Sequence, residues 1–180
     1  MNTFTAVGKI RHTTNPDTIM LATRCGKTDI QLILVADPST IPDQDHVVII
    51  GHIINRRVMT QTGWRSQQTL IADQITPTQS ILSGIYGVPG SVHPDPYIMI
   101  SLSCRVKSID VEQDYHRLIV LVDYYQTDRD PSTLRLSIRS VQDKGIQPGD
   151  TLMTVCGISS KPSGRYIHQS LLIRDYAQEV

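Results

Sequence analysis

The sequence predicts an all-β protein built as two tandem five-stranded Greek-key barrels. Three observations carry that expectation. Apolar and polar residues alternate over short runs, with Val, Ile and Thr abundant and Phe and Ala scarce. Glycine and proline punctuate those runs, as they do between strands. The two ends of the chain also repeat each other, the mark of a duplicated module. No segment sustains a long helical period; at most a turn or two of helix fits around Val141 to Ile146, before "QPGD".

The strands follow in order. In residues 3–12, Lys9 and Arg11 alternate with apolar positions in "VGKIRHT". Residues 18–25 and 28–37 form a hairpin, and after a looser connection 46–54 and 67–76 form a closing hairpin around a long polar loop. The stretch 76–96 carries four prolines and three glycines and no sustained period, so it reads as a linker. The expected boundaries are 1–76, a linker at 77–96, and 97–180. Strand 97–109 is the clearest: Ile98, Ile100, Leu102, Cys104 and Val106 share one face, and Ser101, Ser103, Arg105 and Lys107 the other. Strand 115–123 precedes 132–140, where Leu134, Leu136 and Ile138 point inward and Arg135, Ser137 and Arg139 outward. Strands 151–158 and 166–176 close the second module.

The repeat is most visible at the closing hairpins. "VVIIGHIINRRVMTQTGWRSQQTLIAD" and "TLMTVCGISSKPSGRYIHQSLLIRD" both run apolar strand, Gly (Gly51, Gly157), basic-polar loop, Gly (Gly63, Gly164), an Arg beside an aromatic, then a closing strand. The openings match as well, Lys9 and Arg11 with Arg105 and Lys107. A long first strand and an elongated fourth-to-fifth hairpin with Gly near its tip fit the oligonucleotide/oligosaccharide-binding barrel, whose 1–2 and 4–5 loops flank a binding face. An SH3-like barrel is the competing small β-fold.

The stretch "GHIINRRVMTQTGWRSQQTLIADQI" resembles the fourth-to-fifth strand region of the bacterial single-stranded DNA-binding protein family and its primosomal relatives. The likeness is strongest over residues 45–76 and reaches the second half only in outline. It implies single-stranded DNA as the partner, possible contacts with replication proteins, no enzymatic activity and no cofactor. Four such barrels commonly act together in that family, so a homodimer of this tandem chain is expected. Family members usually carry several aromatics on the binding strands and a tail with an acidic-aromatic tip, whereas this sequence has few aromatics and ends in "RDYAQEV".

The residues point the same way independently. Single strands are held by a cationic groove along the phosphates and by flat side chains on which bases stack. Arg serves both needs, and Arg outnumbers Lys twelve to five here. Arg56, Arg57, Trp64 and Arg65 on the first closing hairpin, and Lys161, Arg165 and Tyr166 on the second, are the candidate clamp and stacking plate. Lys9, Arg11, Arg105, Lys107, Arg135 and Arg139 are candidate phosphate contacts on outer strand faces. Solubility and protection of strand edges are the competing account of these charges.

Bulk properties narrow the classes further. The 180 residues include 17 basic and 17 acidic ones, a net charge of zero, which argues against bulk attraction to a polyanion but leaves a local basic surface open. No apolar run is long enough for a membrane helix, and the N-terminus lacks the pattern of a secretory leader. Cys25, Cys104 and Cys156 read as buried thiols in a reducing compartment, the cytoplasm by default. The six histidines show no zinc spacing, and neither a phosphate loop nor a nucleophile elbow is present. "QLILVAD" and "VVIIGHII" are apolar on both faces and need cover, so the first module is expected to supply an oligomer contact and the second a more open basic surface. The rival functional reading is a protein-interaction adaptor of a replisome or primosome-like assembly.

Overall fold

A computed structural model describes residues 1–60, 62–78, 95–112, 116–122, 132–139, 145–163 and 166–178. Among them the sequence forms ten strands: β1 (Asn2–His12), β2 (Thr18–Cys25), β3 (Thr28–Val35), β4 (His46–Thr60), β5 (Gly63–Pro77), β6 (Tyr97–Val111), β7 (His116–Val122), β8 (Ser132–Ile138), β9 (Thr151–Ser163) and β10 (Tyr166–Gln178). A short helical turn, Pro38–Thr40, is capped by Asp37, whose Oδ1 accepts from the Ser39 N–H at 2.9 Å. The helical turn expected near Val141 falls mostly on 140–144, outside the described residues.

The strands close into two circuits of one design. In the first, β1 pairs antiparallel with β2 and β4, β2 with β3, β3 runs parallel to β5, and β5 lies beside β4. In the second, β6 pairs with β7 and β9, β7 with β8, β8 runs parallel to β10, and β10 pairs with β9. That circuit is the oligonucleotide/oligosaccharide-binding barrel. Both parallel seams are short among the described residues. Leu34 and Val35 meet Leu70 and Ile71 in the first, and Leu136 and Ser137 meet Leu171 and Leu172 in the second.

Two compact units result. One comprises Phe4–His52 and Leu70–Met99; the other comprises Met1–Thr3, Ile53–Thr69 and Ile100–Val180. The outer part of the β4–β5 hairpin therefore belongs to the unit that contains the second barrel. In the first unit Phe4, Ile19, Leu21, Leu32, Leu34, Val47 and Ile49 are fully buried. In the second, Ile100, Leu102, Val106, Leu118, Val120, Leu134, Leu136 and Leu152 form the core, following the alternation read from the sequence. Each such side chain contributes roughly 1.5–3 kcal/mol of burial. Cys104 and Cys156 are buried on neighbouring strands, but Cys104 lies opposite Leu152 and Cys156 opposite Ile100, so the thiols are out of step. Burial pushes the Cys156 thiol up to about 11, which keeps it protonated.

The closing hairpins are longer than the sequence suggests. β4 continues past Ile54 to Thr60, and β5 begins at Gly63. Beyond the barrel there is no core to bury, so the run "NRRVMT" lacks the apolar period that marks a strand. It stays extended because its backbone groups pair along a two-stranded ribbon. Gly63, with φ 108°, makes the tight return.

The paired glycines of the repeat serve different ends. A Cβ on Gly51 would sit 1.9 Å from the Ile71 carbonyl oxygen and 2.7 Å from the Phe4 ring. At Gly157 the nearest obstacle is the Arg174 Nε at 2.7 Å, on a side chain able to swing away. Gly51→Ala is therefore expected to cost about 1–3 kcal/mol as overpacking, and Gly157→Ala less than about 0.5 kcal/mol, measured by denaturant unfolding. Equal costs would show that the two positions pack alike.

Candidate functional site

The ribbon's two faces follow from strand alternation. On β4, Val47, Ile49 and Ile53 point into the barrel, and on β5 Leu70 and Ala72 do. Counting outward by twos places Asn55, Arg57 and Met59 of β4, and Gln68, Ser66 and Trp64 of β5, on the continuation of that face. The Ser66 hydroxyl bonds Asn55 Oδ1, which fixes the pairing. Arg56 and Arg65 fall on the opposite face. The four residues expected to act as one clamp are thus split: Arg57 shares a face with Trp64, and Arg56 shares one with Arg65. All four are exposed, Trp64 by 63%, so the indole is not a core plug.

The inner half of the Trp64 face meets a cleft of about 140 Å³ in the second unit. Asn55, Ser66 and Gln68 of the ribbon form one wall, Arg117, Arg135 and Ser137 of β7 and β8 another, and His168 to Leu171 of β10 the third. The cleft exists because the parallel β8–β10 seam is confined to Leu171 and Leu172, leaving β10 apart from β8 further back toward Tyr166. Gln68 Nε2 donates to the Arg135 backbone carbonyl across that gap. Because that carbonyl can only accept, the amide orientation is fixed, and Gln68 Oε1 is left enclosed without a partner.

The charges are unevenly committed. Arg117 Nη2 is held by Glu112 Oε1 at 2.7 Å and lies opposite Asp110 in register. Arg135 is exposed and has no acidic partner among the described residues. His168 stands across from Lys161 in the β9–β10 ribbon. On the same outward face of the first barrel the corresponding positions are neutral: Met20 pairs with Ile33 and Ala22 with Gln31, and Arg24 is ion-paired to Asp29 at 2.8 Å.

The remaining candidates are dispersed. Lys9 Nζ is bound to Asp45 Oδ2 at 2.9 Å, and His46 Nδ1 meets Asp45 Oδ1 at 2.8 Å, so Lys9 reaches a phosphate only by giving up that partner. Arg11 is exposed at the end of β1. Arg105 and Lys107 are exposed on β6, with Lys107 at the register shift between Val106 and Ser108. Arg139 is exposed just past β8 and already has an interaction partner, and Lys161 is exposed on β9. Arg165 lies outside the described residues. Tyr166 opens β10 opposite Ser163, and its side chain is likewise outside them. Arg117, His168, Asn55, Ser66 and Gln68 were missed by the sequence reading. Arg117 was legible: it sits on the face opposite Leu118 and Val120, in a hairpin with Arg135.

No family model and no curated protein matches the chain. Two crystal structures share its fold. They are the wild-type single-stranded DNA binding protein from Thermus aquaticus and a deletion mutant of it, each with a TM-score of 0.59 and 10% identity, covering 100% of this chain and 93% and 95% of theirs. At that identity the likeness is one of fold. Among the described residues no group of His, Cys, Asp or Glu is arranged to hold a metal, and no helix is long and apolar enough to cross a membrane.

The Lys9–Asp45–His46 cluster gives a direct check on the electrostatics. Hydrogen bonds from Lys9, then from His46, hold the Asp45 carboxyl down at about 2. A depressed folded value means the interaction is complete above the ordinary carboxylate range and is lost as pH falls from about 4 toward 2. Carboxyl NMR is expected to show Asp45 titrating near 2 in the intact protein and higher in Lys9→Met. An unshifted midpoint in the variant would show that Lys9 is not engaged and stands open to phosphate.

Proposed function

We propose that the protein binds single-stranded DNA without catalysing a reaction, in replication, recombination or a mobile-element context, and that it is a divergent relative of the bacterial single-stranded DNA-binding proteins. One observation carries the reading: Arg57 and exposed Trp64 share the ribbon face that leads into a cleft holding Arg117 and Arg135. A guanidinium forks onto phosphate oxygens and also lies flat on a base. An exposed indole offers a stacking surface worth about 1–3 kcal/mol per base. Fold likeness to a protein named for single-stranded DNA binding supports the reading without carrying it. The sequence halves 1–76 and 97–180 serve as the two binding barrels, and a dimer would bring four of them together.

A second reading, a protein-interaction adaptor, is favoured by one feature. Met153 and Val155 point outward from β9 and are 48% and 43% exposed, beside Ser101 and Ser103 of β6. That makes a small apolar strip, with Ala177 opposite Met153 and the exposed Asp175 opposite Val155 on its β10 side.

Titration with oligo-dT, followed by Trp64 fluorescence, separates the two. Saturable quenching is expected. Trp64→Ala is expected to lower affinity by about 1–3 kcal/mol with unchanged thermal unfolding. If about five phosphates are neutralised, log affinity should fall against log salt with a slope of about −3.5. A flat fluorescence response, or an affinity indifferent to salt, would refute this mechanism.

A further inference from the structure

We propose that the cleft between β8, β10 and the β4–β5 ribbon seats a phosphate monoester, such as the terminal phosphate of a strand, rather than a phosphodiester in passing. This rests on the single-strand reading for its biological ligand, but the seat itself follows from the cleft. This cleft is crossed at its floor by the Gln68 bond to the Arg135 carbonyl, and its ribbon wall is knit by the Ser66–Asn55 bond. Gln169, 5% exposed, closes the β10 side. These bonds floor the cleft, and a phosphate seated on that floor meets the charged side chains of the β7–β8 wall.

The chemistry of the walls agrees. Donors outnumber acceptors: the guanidiniums of Arg117 and Arg135, the imidazole of His168 and the hydroxyl of Ser137 stand against the Gln68 Oε1 acceptor, the Ser66 proton being given to Asn55. A diester offers two unesterified oxygens and one negative charge. A monoester offers three oxygens and a charge of about −1.5 to −2 near neutral pH, a better match for several charge-assisted donors. Glu112 and Asp110 offset Arg117, so Arg117 adds geometry more than net charge. The uncompensated charge comes from Arg135, with Lys161 across from His168 reinforcing it. Size is adequate: a water needs only about 10–15 Å³ of such space, and the cleft holds about 140 Å³.

The test uses the whole protein with thymidine 5′-monophosphate and thymidine as paired probes in calorimetry, and with oligo-dT carrying or lacking a terminal phosphate at either end. The nucleotide is expected to bind saturably and thymidine not at all, and one phosphorylated end is expected to tighten oligo-dT. Arg135→Gln should weaken the nucleotide about tenfold, the equivalent of one charge-assisted bond, while Lys27→Gln, a change in the β2–β3 turn of the first barrel, should not. The Gln68 bond goes to the Arg135 backbone, so the substitution leaves the cleft floor intact. If thymidine and its monophosphate behave alike and a terminal phosphate adds nothing, the seat is refuted while oligo-dT binding still stands. If the nucleotide binds and oligo-dT does not, the seat stands and the single-strand reading falls.

Discussion

Both barrels close through a parallel seam, and the shortness of that seam governs what the rest of the molecule is able to do. Leu34–Leu70 and Leu136–Leu171 each form one of the two pairs in their seam. All four leucines are buried at 2% exposure or less, so closure depends on apolar packing more than on a long hydrogen-bond ladder. A longer seam would hold β5 and β10 against the barrel wall over their whole length. Limited to two positions, it lets each closing hairpin leave the barrel as a ribbon, and it leaves a gap beside β8 that side chains line. The exposed cations and the cleft are both consequences of where the pairing stops.

The sequence specified the barrels more completely than the ribbons, and the reason is physical. Inside a barrel, burial imposes a period of two, so Ile98 to Val106 and Leu134 to Ile138 declare their strand and their inward face. Outside it no such selection acts, and "NRRVMTQTGWR" carries no apolar rhythm even though most of it is strand. Adjacent arginines then look like one cluster. Once the strand is known, adjacency means the reverse, because neighbouring side chains point to opposite faces. Arg56 and Arg57 serve different surfaces for that reason. His168 was weighed only as a metal ligand, since its nearness to Arg117 and Arg135 arises from β8 and β10 pairing across a long interval of chain.

Duplication explains what is shared, and local charge explains what has diverged. The topology, the closing hairpins and the paired glycines recur. The outward faces of the second and third strands do not: Met20, Ala22, Gln31 and Ile33 stand in one copy, and Arg117 and Arg135 in the other. Arg24, the arginine of the first copy's hairpin, is committed to Asp29. Two barrels of one circuit thus present different chemistry on the same structural position, and the second copy's face borders the cleft that the β4–β5 ribbon completes.

That divergence reconciles zero net charge with the proposed affinity for a polyanion. Screening limits a charge's influence to about 8 Å at physiological salt, so a ligand responds to its immediate wall and not to the molecular total. Acidic residues offset part of the positive charge: Asp45 takes Lys9, Asp29 takes Arg24 and Glu112 takes Arg117. Arg135 and the ribbon's Arg57 are left uncancelled by any described carboxylate. A uniformly basic chain would attract nucleic acid over its whole surface and at any orientation. Arg135 keeps its charge beside a cleft and Arg57 on the ribbon face that leads to it, so the proposed strand would meet local positive charge where the fold also provides shape.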